Sequence, residues 1–183
     1  LKQQARPDTT QASTVIIAEK NNTNTSSCIV PLVAAARWKK AGAIRIVNGK
    51  SMESDKFFQK NIRDNCVLTA PLTYEERSRC VDWPVASPVL THTRFTPFRP
   101  LLLDLLWLGN PLVHNCPVLA AAGASYYPDN DLAAMVACLD TVQAARASRD
   151  WVVDRWSIEK GLDLWTDILK VGVRDRKSTR LNS

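Results

Sequence analysis

The sequence predicts an α/β fold: a mainly parallel sheet of about five to six strands with helices on both faces. Three observations predict it. Short apolar runs alternate with longer segments of helical spacing along most of the chain. The first run, residues 14–19 (TVIIAE), is rich in β-branched residues on both sides of its pleat, as in a strand covered on both faces. Polar turn residues fall at the junctions. Such alternation implies right-handed crossovers between parallel strands, the doubly wound arrangement.

The elements follow in order. Residues 1–13 (LKQQARPDTTQAS) are polar and aperiodic, a linker or frayed end. After the first strand and a polar turn, residues 27–42 (SCIVPLVAAARWKKAG) read as a helix. Pro31 belongs in its first turn, Lys39 and Lys40 in its last, and Gly42 is the stop. Residues 43–49 (AIRIVNG) form the second strand and 52–62 a helical or irregular crossover. Residues 65–70 (NCVLTA) are a weaker third strand, and 73–83 (TYEERSRCVDW) a short helix capped by Thr73. Residues 87–93 (SPVLTHT) give the fourth strand. Residues 97–109 are a helix with Pro97 or Pro100 near its start and Gly109 at its end. Residues 111–115 (PLVHN) are the fifth strand and 124–128 (ASYYP) a short sixth. An amphipathic helix at 129–147 and one or two helices bearing Trp151, Trp156 and Trp165 complete the domain, residues 14–174.

The last nine residues, 175–183 (DRKSTRLNS), resemble the in-frame translation of a sequencing adapter and are set aside from the fold. With an opening residue of Leu1, the chain is expected to be a fragment. The tail carries two of the six net positive charges, which leaves a mild +4 with no long basic block. That balance argues against a nucleic-acid partner and suits an anionic small ligand or a weak contact with an acidic membrane surface. Five scattered cysteines without CxxC spacing argue against a disulfide framework or zinc site and for a reducing compartment, so a cytoplasmic location is expected. The apolar runs are too short or too interrupted to span a bilayer.

In parallel sheets, ligands bind beyond the carboxyl ends of the strands, near the switch in strand order. The polar residues at those ends are therefore the candidates. No GxGxxG and no GxxxxGK[ST] is present. The first turn offers Asn21, Thr25 and Ser26, able to hold a phosphate or ribose with help from the next helix's N–H groups, or simply to cap that helix. Asn48 ends the second strand. The fourth turn gathers His92, Arg94 and Arg99 before a helix start, and arginine supplies planar donors suited to diphosphate. His114 and Asn115 end the fifth strand. Asp104 sits among leucines; by spacing alone it is an exposed face residue. Tyr126 and Tyr127 can stack on a base or pack in the core. The two histidines lack metal-ligand spacing, and the residues assign no catalytic acid pair or triad.

Three stretches together carry a resemblance: VNGKSMESDKFFQKN, HTRFTPFRPLLLDLLWLGNPLVHN and SYYPDND. The central LLLDLLWLGNPLV resembles the helix–strand segment of GT-B glycosyltransferases. The three in order are similar to a GT-B-like set from bacteria and large DNA viruses. The resemblance covers residues 14–139. It implies the C-terminal, donor-binding half of a two-domain enzyme that moves a sugar from a nucleoside-diphosphate sugar, with a separate acceptor half and no permanently bound cofactor or metal. It further implies that Asp104 holds sugar or ribose hydroxyls, that Arg94 and Arg99 stabilise the diphosphate, and that His114 and Asn115 line the pocket floor. The Glu-Asn of the family pattern falls on Phe95 and Thr96, and its Asn-Tyr on Arg99 and Pro100. A second reading follows from these departures: a catalytically degenerate binding module. An unrelated doubly wound domain is the third; the first strand lacks a receiver-type acidic pair and the first turn lacks the glycines of a nicotinamide enzyme.

Overall fold

The structure is a computed structural model and describes residues 13–21, 27–68, 70–76, 79–84, 86–94, 98–122, 124–142 and 150–152, with single positions at 154, 163, 166 and 170. It is an α/β fold with one six-stranded sheet: β1 (Ser13–Ala18), β2 (Ala41–Val47), β3 (Leu72–Tyr74), β4 (Val89–Leu90), β5 (Leu112–His114) and β6 (Ser125–Tyr126). All pairings are parallel, and the order is β3-β2-β1-β4-β5-β6. The chain winds outward from β1 to β3, returns to the centre and winds the other way. This is the doubly wound, Rossmann-like arrangement the alternation predicts.

β1 shows why. Val15 and Ile17 enter one core, while Ile16 and Ala18 enter the other, and all four are buried. The first core packs the sheet against α1 (Ile29–Arg37), α2 (Lys56–Asn65) and α4 (Leu132–Thr141) through Leu32, Ala35, Phe58, Ile62, Met135 and Leu139. The second packs it against α3 (Pro100–Leu108) through Leu102, Leu105 and Leu106, with Trp83 and Val152. Each fully buried Leu or Ile contributes roughly 1.5–3 kcal/mol. No helix among the described residues is long and apolar enough to cross a membrane.

The helix ends follow their sequence signals. α3 has Pro100 in its first turn, and Gly109 takes the left-handed conformation (φ 75°) that closes it. Asp55 and Asp131 cap α2 and α4, each accepting a backbone N–H three residues on, at 2.6 and 2.9 Å. Pro31 sits in the first turn of α1.

Three elements differ from expectation. The third strand is Leu72–Tyr74, because these residues pair with Ile44–Ile46 and Arg45 clamps Glu75 through two bonds of 2.6 and 3.0 Å. The helix expected over 73–83 is absent from the described residues there. Thr73 lies in β3 with its hydroxyl on the Ile44 carbonyl, and only Cys80–Asp82 makes a single 3-10 turn. α1 stops at Arg37, earlier than expected. Trp38 turns extended, with its indole donating to Asp140, and Gly42 lies inside β2. The linker up to residue 12, the adapter-like tail, and Trp156 and Trp165 lie outside the described residues.

Candidate functional site

The strand order reverses between β1 and β4, so the crevice that such folds use for ligands opens beyond Ala18 and Leu90. A residue that the sequence reading passed over occupies it. Glu19, directly after β1, is fully buried. Its Oε1 accepts the backbone N–H of His92 at 2.6 Å, and its Oε2 accepts from Arg99 Nη1 at 2.8 Å. Arg99 Nη2 donates to the Ala18 carbonyl at 3.1 Å. A buried carboxylate is tolerable only when paired and hydrogen-bonded, and this one is both. The protein's own anion lies where a bound anion is expected.

The Glu19 carbonyl is a second gathering point. Asn21 Nδ2 reaches it at 3.3 Å and Asn48 Nδ2 at 3.4 Å. Both asparagines hold left-handed backbone, φ 56° and 55°, which short amide side chains tolerate better than most. Asn21 also donates to the Val47 and Asn48 carbonyls, while its Oδ1 accepts the Cys28 N–H at 2.8 Å ahead of α1. These amides tie the ends of β1 and β2 to one another, so they shape the crevice wall. Four candidates (Asn21, Asn48, His92 and Arg99) thus converge on Glu19. The one signal for it in the sequence was an acid closing an otherwise apolar run.

Beyond β4 and β5 a second set forms. Asn115 grips Thr93 like a strand partner: Oδ1 accepts its N–H at 3.0 Å and its hydroxyl at 3.2 Å, and Nδ2 donates to its carbonyl at 2.8 Å. The same Nδ2 reaches the Asp129 carbonyl at 3.3 Å. His92 is buried, with Nδ1 2.9 Å from the Tyr127 hydroxyl, which itself lies 2.8 Å from the Thr91 carbonyl. Desolvation pulls the His92 imidazole below its usual range; Asn130, beside the ring, opposes this and Arg94 adds to it. His114 is fully buried, and its Nδ1 accepts the Cys116 N–H at 3.2 Å. Burial alone pulls it down to about 4. Both shifts favour the neutral imidazole. Tyr127 is a core residue, and Tyr126 is half-buried against the His114 ring at 5.9 Å.

Asp104 stands apart. It is exposed on α3 and lines an open groove of about 420 Å³ with Pro100, Leu103, Trp107 and Val152. The Cys80 thiol is raised first by burial and then by the Asp104 charge. Arg94 is exposed at the end of the β4 turn. Thr25, Ser26, Phe95 and Thr96 lie outside the described residues. Among the described residues, no three His, Cys, Asp or Glu side chains gather into a group that could hold a metal. The arrangement supplies neutral hydrogen-bonding groups, one internally neutralised arginine and a further arginine at the rim. That is the chemistry of binding and orientation.

The sequence pattern of one family, described as "Protein of unknown function (DUF2827)", matches residues 2–160. No curated protein matches the chain.

Proposed function

The chain belongs to the DUF2827 family, and from the geometry of its sheet edge we propose that it is the donor-binding half of a GT-B-type glycosyltransferase, acting on a nucleoside-diphosphate sugar. The observation that carries this reading is the gathering of Asn21, Asn48, His92, Arg99, His114 and Asn115 at the carboxyl edge of one doubly wound sheet. Nucleotide ligands bind at that edge in such sheets. In this reading Asp104, exposed beside an apolar groove, holds sugar or ribose hydroxyls. Sugar transfer breaks the bond between the anomeric carbon and the diphosphate, and negative charge collects on the leaving phosphate. Arg94 at the rim and the backbone N–H groups at helix starts are the groups that would stabilise it. Arg99, bound to Glu19, holds the crevice in place. The acceptor half of such an enzyme would come from a further domain, and no nucleic acid enters the reading.

A second reading, a catalytically degenerate sugar-nucleotide-binding module, draws on one observation: the arginine nearest the switch point is neutralised by Glu19. The two separate experimentally. In the first, nucleoside diphosphates and their sugar conjugates stabilise the folded chain, by about 2.7 kcal/mol at a hundredfold excess over Kd. Asp104→Ala and Arg94→Ala weaken that gain. The complete enzyme turns over donor in the first reading and only binds it in the second. A folded chain stabilised by no member of a nucleotide and sugar-nucleotide panel would defeat both.

A further inference from the structure

The hydrogen bonds around His92 decide which of its ring nitrogens carries the proton. Tyr127 Oη lies 2.8 Å from the Thr91 carbonyl oxygen and 2.9 Å from His92 Nδ1. A carbonyl oxygen can only accept, so the phenol proton goes to Thr91. The phenol then has only lone pairs to offer Nδ1, so Nδ1 carries the imidazole proton and donates it. A neutral imidazole has one N–H, which leaves Nε2 as a bare acceptor. The backbone of the same residue is pinned by its N–H to Glu19 Oε1. Ring and backbone are therefore both oriented by the fold. His92 is 2% exposed, and Nε2 makes no hydrogen bond within bonding geometry, with the Asn130 side chain the polar group close enough to act on the ring.

An unpartnered buried acceptor costs about 1–3 kcal/mol, so its persistence calls for an explanation. His114 provides the contrast. Its Nδ1 accepts the Cys116 N–H, so its proton sits on Nε2, and its unpartnered edge is a donor. The two imidazoles are of opposite polarity. An acceptor lone pair repels phosphate oxygens, which only accept. It is suited to a group that donates.

We propose that His92 Nε2 accepts a hydrogen bond from a hydroxyl of the bound sugar nucleotide, and so serves as a specificity contact and not as a phosphate ligand. The assignment rests on the donor-binding reading above. The hydroxyl can belong to the ribose, which every nucleoside diphosphate carries, or to the transferred sugar, which only the conjugate carries.

The test is imidazole nitrogen NMR on the full chain, which has only two histidines and so gives two ring systems. The expected spectrum at pH 7 shows His92 protonated on Nδ1 and His114 on Nε2. Tyr127→Phe, checked for folding by its amide spectrum, should convert His92 to a mixture of tautomers and leave His114 unchanged. A panel of nucleoside diphosphates and their glucose conjugates is then titrated in. A shift of His92 Nε2 with the diphosphate alone assigns the ribose hydroxyl, and a shift only with the conjugate assigns the sugar hydroxyl. His92→Leu should weaken that ligand roughly tenfold, the loss of one hydrogen bond. Three results overturn the proposal. An apo His92 protonated on Nε2 removes its premise. Ligand binding seen at backbone amides without movement of Nε2 leaves the donor-binding reading intact and reduces the imidazole to a water-filled or structural site. No amide response to any probe defeats the donor-binding reading itself and takes the contact with it.

Discussion

Glu19 and Arg99, eighty residues apart in the chain, meet at 2.8 Å across the crevice where the strand order reverses. The carboxylate is fully buried and the guanidinium side chain is 10% exposed. Removing one partner strands the other charge in a dry site, which typically costs 3–5 kcal/mol. Arg99→Met should therefore lower the urea-unfolding free energy by about that much. The double variant Glu19→Leu/Arg99→Met should recover most of the loss. Near-additive losses would mean the two charges are not coupled in solution.

Asn115 holds Thr93 by its N–H, hydroxyl and carbonyl. Asn115→Asp keeps the acceptor and turns the donor into a second acceptor facing the Thr93 carbonyl. The expected result is a loss of about 1–3 kcal/mol, with the hydrogen-exchange change centred on the β4 and β6 turns. Protection unchanged at Thr93 would show that the clasp is not what holds the loop.

Stability should fall on mild acidification. His114 titrates near 6.5 when unfolded and about 4 when folded, because burial disfavours its charge. The unfolded state thus binds more protons through the window between those values. The contribution is complete above pH 6.5 and is lost as pH falls toward 4, on the order of 3 kcal/mol in all. His92 is shifted in the same direction. His114→Asn keeps an acceptor for the Cys116 N–H, and so should flatten the dependence of the urea midpoint on pH between 6.5 and 4. An unaltered slope would assign the acid sensitivity elsewhere.

Thiol reactivity should divide the cysteines. Burial pushes Cys28 up to about 12 and Cys116 to about 11, whereas Cys66, Cys80 and Cys138 are only partly buried. Burial raises those three thiols as well, so a thiol reagent at pH 8 should label the three partly buried positions slowly but ahead of the two buried ones, whose rate is limited by opening of the fold. Peptide mapping of the labelled protein checks the assignment.

Local signals were enough for most of the architecture. The apolar run of β1 is buried on both faces, and Pro100 and Gly109 bracket α3. β3 is not legible in its own residues because a three-residue edge strand is fixed by its partner. The run NCVLTA is the more apolar, but Leu72–Tyr74 have the register with Ile44–Ile46 and the Arg45–Glu75 clamp. The end of α1 is hidden from the local sequence for a similar reason: Trp38 and Lys40 both reach Asp140 at the far end of α4. The site was legible as a set of strand ends. Its hub was not, since an acid closing a strand looks like ordinary turn polarity until its arginine arrives from a distant helix start.

The central position of β1 also sets the order in which the molecule can assemble. Its pairing with β2 closes over a short stretch of chain, but its other edge must wait for Val89 and Leu90 to arrive. Until then a strand of Val15, Ile16, Ile17 and Ala18 presents open backbone groups along one side, the kind of surface on which nascent chains stick to one another. The segment from β1 to β3 can close early around α1 and α2. Seating β4 beside it then caps that exposed edge and brings His92 within reach of Glu19 in one motion. The last strand contact at the centre of the sheet and the first joining of the two sides of the candidate site are thus the same event.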